Sequence, residues 1–97
     1  MDLYELLNKK SPENVRLNLA QRFKACRKIK GITQQELAVR SGVPYGTIRQ
    51  FEQKGKISLE SLILLSEALN MMGDFEHLFI VDKHRDLRKL MNEDRKH

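Results

Sequence analysis

The stretch Thr33-Gln34-Gln35-Glu36-Leu37-Ala38-Val39-Arg40-Ser41-Gly42-Val43-Pro44-Tyr45-Gly46-Thr47-Ile48-Arg49-Gln50-Phe51-Glu52-Gln53 decides the fold. It opens with a capping box. The Thr33 hydroxyl can accept from the Glu36 amide while the Glu36 carboxylate reaches back to the Thr33 amide, so a helix starts here. Leu37 and Ala38 face inward, and Ser41-Gly42 ends that helix after about two turns. Val43-Pro44 then restarts the chain. Over Tyr45 to Gln53, Ile48 and Phe51 stand three apart as a buried face, with Gly55 as the stop. The opposite face carries Tyr45, Gly46, Arg49, Gln50 and Gln53.

Helical periodicity extends in both directions. Ser11-Pro12-Glu13 reads as an N-cap, a first-turn proline and a first-turn acid. Val15, Leu19, Phe23, Cys26 and Ile29 follow at helical spacing and predict a long helix with that stripe inward. Gly31 supplies a left-handed stop behind Lys28 and Lys30, whose charges suit a helix C-terminus. Downstream, Ser58 caps a fourth helix with a broad apolar side of Leu59, Leu62, Ile63, Leu65, Ser66 and Leu69, ending near Asn70. Asp74 is expected to cap a fifth helix carrying Phe75, Leu78 and Phe79. Leu3, Leu6 and Leu7 mark a short helix over residues 2–10, and Leu87, Leu90 and Met91 a weakly amphipathic one in the tail. No alternating strand pattern of useful length occurs, so the chain reads as all-α.

Charge is distributed as unevenly as hydropathy. The 97 residues carry a net +5, yet residues 14–56 hold ten Lys and Arg against two acids, and residues 57–81 hold four acids without a Lys or Arg. A concentrated basic segment suits neutralisation of phosphates, and basic small domains also bind acidic proteins or membranes. The length suits one small domain with a modest core. With Cys26 as the lone cysteine, no internal disulfide or Cys-based zinc pattern can form, which points to a reducing, cytoplasmic setting. No apolar run approaches the ~18 residues of a membrane span, and Met1-Asp2-Leu3-Tyr4-Glu5 lacks the pattern of a signal peptide. Neither a Gly-rich phosphate loop nor a nucleophile elbow is present, so no enzyme and no cofactor is expected. His77 and His84, near Asp82 and Asp86, lack compact metal-ligand spacing, and no metal is expected. Cys26 reads as a small core residue.

Two short helices joined by a Gly-containing turn, set inside the basic segment, form a helix-turn-helix unit. In Gly31-Ile32-Thr33-Gln34-Gln35-Glu36-Leu37-Ala38, Ser41-Gly42-Val43, Thr47-Ile48 and Phe51-Glu52 the chain resembles the Cro and phage-repressor type of helix-turn-helix regulators, over about residues 18–79. The resemblance implies a five-helix, lambda-repressor-like DNA-binding domain over residues 12–80. A short extra N-terminal helix over residues 1–11 precedes it, and a charged tail over residues 81–97 follows. It also implies that Tyr45, Gly46, Arg49 and Gln50 meet base edges, and that Gln34, Thr47, Lys54 and Lys56 meet phosphates. Arg27 and Glu52 match a structural pair joining the first helix to the end of the recognition helix. Chemistry agrees for Gln50, which can pair bidentately with adenine, for Arg49 with guanine, and for Gln34 at a helix N-terminus.

Two departures from the family pattern stand out. Pro44 replaces the usual Ser or Thr cap of the recognition helix, and Gly46 either permits close backbone approach or surrenders readout at its position. The expected function is a homodimeric transcriptional repressor on a palindromic double-stranded operator, autoregulating its own operon. Ile48-Arg49-Gln50-Phe51-Glu52, Ile57-Ser58-Leu59 and Phe75-Glu76-His77-Leu78-Phe79 are similar to the DNA-binding antitoxin subunits paired with kinase toxins, so a kinase-type toxin is a second expected partner. The alternative is a protein-interaction module that keeps the fold without binding DNA. The terminal apolar residues suit a dimer or toxin interface, or packing back on their own domain.

Overall fold

The Ser11 hydroxyl accepts from the Asn14 amide at 3.1 Å, and with Pro12 in the first turn this starts helix α1 (Pro12–Ile29). The computed structural model describes residue 3, residues 10–81 and residues 89–92. Four more helices follow in order: α2 (Gln34–Ser41), α3 (Tyr45–Lys54), α4 (Leu59–Ala68) and α5 (Gly73–Glu76). Residues 89–92 are also helical, and among the described residues all regular structure is helical. None of these helices is long and apolar enough to cross a membrane. The rest of the expected N-terminal helix, including Leu6 and Leu7, lies outside the described residues, as do Asp82, His84, Asp86 and Leu87.

Local chemistry sets the central boundaries. Thr33 Oγ1 accepts from the Glu36 amide at 3.0 Å and Glu36 Oε1 from the Thr33 amide at 3.3 Å, completing the capping box of α2. Gly42 and Gly55 end α2 and α3 with φ of 77° and 69°, a left-handed conformation that costs an ordinary L-residue about 1–2 kcal/mol. Pro44 precedes α3 without a side-chain cap, and its carbonyl accepts from the amides of Thr47 and Ile48.

The core forms where α1 packs on α3, α3 on α2 and α2 on α4. Leu37, Ile48, Phe51 and Leu65 are its most buried large side chains, joined by Ala20, Phe23, Ile32, Val43 and Leu69. Phe23 of α1 and Phe51 of α3 meet edge to face with centroids 5.4 Å apart. Inside α4, buried Ser66 satisfies its hydroxyl on the Leu62 carbonyl at 2.8 Å.

Three expectations are corrected. The buried stripe of α1 is Ala20, Phe23 and Arg27; Val15, Leu19 and Ile29 are exposed and Cys26 is half-buried. Arg27 turns inward because Glu52 of α3 cancels its charge, which rotates the helix relative to its purely apolar stripe. Leu59, expected on the apolar side of α4, is exposed because Leu65, Ser66 and Leu69 take the inward positions. Asp74 does not cap α5: its amide already donates to the Met71 carbonyl, so the residue lies inside the single turn Gly73–Glu76. Past that turn Phe79 has a φ of 58° and is 95% exposed.

Candidate nucleic-acid interface

Because Ile48, Phe51 and Glu52 of α3 turn inward, the remaining faces of the helix look outward. Tyr45, Gly46, Arg49, Gln50 and Gln53 are exposed, with Thr47 half-buried beside them. An ideal Cβ built on Gly46 meets nothing within 4 Å, so the first turn presents bare, unobstructed backbone. Lys54 at the end of α3 and Lys56 in the following turn are exposed as well. The outward surface of α3 therefore carries a guanidinium and a carboxamide side by side, with two ammonium groups near its C-terminal end. That donor set suits base edges flanked by phosphates.

The N-terminus of α2 forms the second part of the surface. Thr33 satisfies the amides of Glu36 and Leu37, through its hydroxyl and its carbonyl, which leaves the Gln34 and Gln35 amides at the open end of the helix. A shallow depression lined by Arg27, Thr33, Gln34, Gln35 and Tyr45 lies there. It brings the start of α2 next to the start of α3, and free amides with a positive helix end suit an anion.

Beneath the depression lies a buried polar network. Arg27 donates from Nε to Glu52 Oε2 at 2.7 Å, from Nη2 to Glu52 Oε1 at 2.8 Å, and from Nη1 to the Ile32 carbonyl at 2.8 Å. Gln34 Nε2 donates to the same Glu52 Oε1 at 2.9 Å. Hydrogen bonding to the Glu52 carboxylate holds the Arg27 guanidinium above its ordinary, already strongly basic value, against the opposing effect of burial. Every described buried side-chain nitrogen and oxygen has a partner, so the network is complete.

The structure thus brings Tyr45 and Gln34 to one depression, and Arg27, Glu52 and Gln34 to one network. Arg49 and Gln50 share the outward surface of α3 and are not joined to that network by any hydrogen bond. Sequence reasoning missed the link from Gln34 to Glu52 and that from Arg27 to the Ile32 carbonyl. Neither has a local signal, since the first spans two helices and the second depends on how α1 is rotated.

A family model for the helix-turn-helix domain matches residues 23–71, half of the chain, and covers α2, the turn and α3 together with the end of α1 and all of α4. Among curated proteins and among solved structures no match was found. The matched segment carries the capping box, the Gly42 turn, the buried Ile48 and both members of the Arg27–Glu52 pair. The chain belongs to the helix-turn-helix family of the Cro and phage-repressor type, and is a DNA-binding regulator of that type.

Proposed function

We propose that the chain is a homodimeric transcriptional repressor that reads a palindromic operator through α3 and represses its own operon. The observation carrying this reading is the outward surface of α3, where Arg49 and Gln50 stand exposed beside an unobstructed Gly46 backbone. Arg49 donates bidentately to guanine and Gln50 pairs with adenine, each contributing about 1–3 kcal/mol of discrimination. Tyr45 and Gly46 complete the base-facing turn. Gln34, Thr47, Lys54 and Lys56 contact phosphates and hold α3 in register.

Two copies are needed because one short helix reads too few base pairs. A two-fold dimer places its recognition helices in successive major grooves about 34 Å apart. The exposed run Leu78-Phe79-Ile80-Val81 beyond α5 supports assembly, because four consecutive apolar side chains in water invite a covering surface. A kinase-type toxin is the second partner in this reading, supported by the likeness of α3 and the segment around α5 to antitoxin subunits. Footprinting across the chain's own promoter tests the function: two protected half-sites one helical turn apart are expected. A single unpaired patch, or no protection at concentrations that bind nonspecific duplex, refutes it.

A further inference from the structure

Glu52 is buried, yet one of its oxygens serves the interface. Oε1 accepts from Arg27 Nη2 at 2.8 Å and from Gln34 Nε2 at 2.9 Å, while Oε2 is taken by Arg27 Nε at 2.7 Å. A carboxylate only accepts, so the Gln34 carboxamide must turn its nitrogen toward Glu52. One N–H is thereby spent inward, and the second is held in a defined direction at the rim of the depression beside the open end of α2. A phosphate also only accepts. The orientation imposed by Glu52 therefore offers it a donor, whereas the reversed amide would present a repelling carbonyl. Arg27 neutralises Glu52, so the carboxylate aims the amide without adding net negative charge near the DNA.

We propose that Glu52 is a positioning residue for DNA binding. It acts through Gln34, whose amide it fixes as a two-headed donor between the buried ion pair and a DNA backbone phosphate. This rests on the DNA reading of the α2–α3 surface and adds a coupling to it: the contact with the backbone is wired into the pair that ties α1 to α3. The coupling is sequence-independent, because a phosphate carries no base identity.

The test is a double-mutant cycle on duplex affinity with Gln34→Leu, Glu52→Met and the pair, each measured where circular dichroism shows it fully folded. Each single change is expected to weaken specific and nonspecific duplexes alike by roughly fivefold, about the worth of one hydrogen bond, and the double variant no more than the weaker single. Independent losses that multiply, or wild-type affinity for Glu52→Met, overturn the proposal while leaving the DNA reading intact. Wild-type chain that binds no duplex overturns both. Gln34→Lys serves as a second variant, because it leaves the buried pair in place and keeps the charge of Glu52. A lysine ammonium can donate to Glu52 and to a phosphate together, so affinity equal to or above wild type is expected, with a steeper salt dependence. A loss matching that of Gln34→Leu overturns the positioning role.

Discussion

Gly55 lies so close to α1 that a Cβ added to it would stand 2.8 Å from the Arg16 carbonyl carbon and oxygen. Its φ of 69° is left-handed as well. The end of α3 is thus seated on the α1 backbone through a residue that has no side chain, one turn past Glu52, whose ion pair with Arg27 also ties α3 to α1. This contact and the ion pair together set the angle of α3 against α1.

Gly55→Ala should therefore cost both backbone strain and a steric shift, about 2–4 kcal/mol in all. Gly42→Ala meets no atom within 4 Å and bears the strain alone, about 1–2 kcal/mol. Urea denaturation of the two variants checks the order; equal losses would remove the close approach from the explanation.

Truncating one member of the buried pair leaves the other charged in the core. Glu52→Ala is expected to destabilise by about 3–5 kcal/mol, and Arg27→Met combined with Glu52→Leu to recover most of that. The folded value of Arg27 is raised, so its stabilisation is fully present below the unfolded value and is lost only as pH rises beyond it. Arg27 accordingly contributes no pH dependence across the neutral range. Melting temperatures of the single and double variants decide the matter, and a double variant as unstable as Glu52→Ala speaks against it.

Gly46→Ala is expected to separate stability from recognition. Nothing obstructs a methyl group there, and alanine in a helix is favoured over glycine by up to about 1 kcal/mol. Gly46→Ala should raise the melting temperature while weakening operator binding by about tenfold, since the methyl enters the space where backbone and base edge meet. Unchanged affinity would mean that Gly46 faces no base.

The cations along the α3 surface should not behave alike. Arg49→Ala should lower affinity for the operator by about 1–3 kcal/mol and relax discrimination at one position. Lys54→Ala and Lys56→Ala should weaken all duplexes alike, each reducing the slope of log affinity against log salt by about 1. A Lys54→Ala effect confined to one sequence would reassign it to base readout.

The elements that were legible in the sequence are those governed by adjacent residues. The Thr33–Glu36 box, Gly42, Gly55 and the inward Ile48 and Phe51 all follow from spacing within a few residues, and the helices start and stop accordingly. Periodicity alone did not give the inward face of α1, because burying Arg27 depends on a carboxylate 25 residues away; the Arg27–Glu52 pair itself was implied only by the family resemblance. Periodicity scored that position as polar and chose Val15, Leu19 and Ile29 instead. The start of α5 was misread for a related reason: Asn70 adopts a left-handed φ of 59° after α4 and the Met71 amide returns to the Ser66 carbonyl, which moves Asp74 inside the turn. At the interface the residue types on α3 were visible in advance, and the attachment of Gln34 to Glu52 emerged only once α2 and α3 were packed together.

Recognition through α3 is decided by binding to fluorescent duplexes tiled across the chain's own promoter over a salt series, comparing wild type with Arg49→Ala/Gln50→Ala. The expected result is tight wild-type binding to one tile, with the double variant binding every tile at the weak, salt-sensitive level of nonspecific DNA. A double variant that keeps the same preferred tile at wild-type affinity would show that α3 does not read the operator.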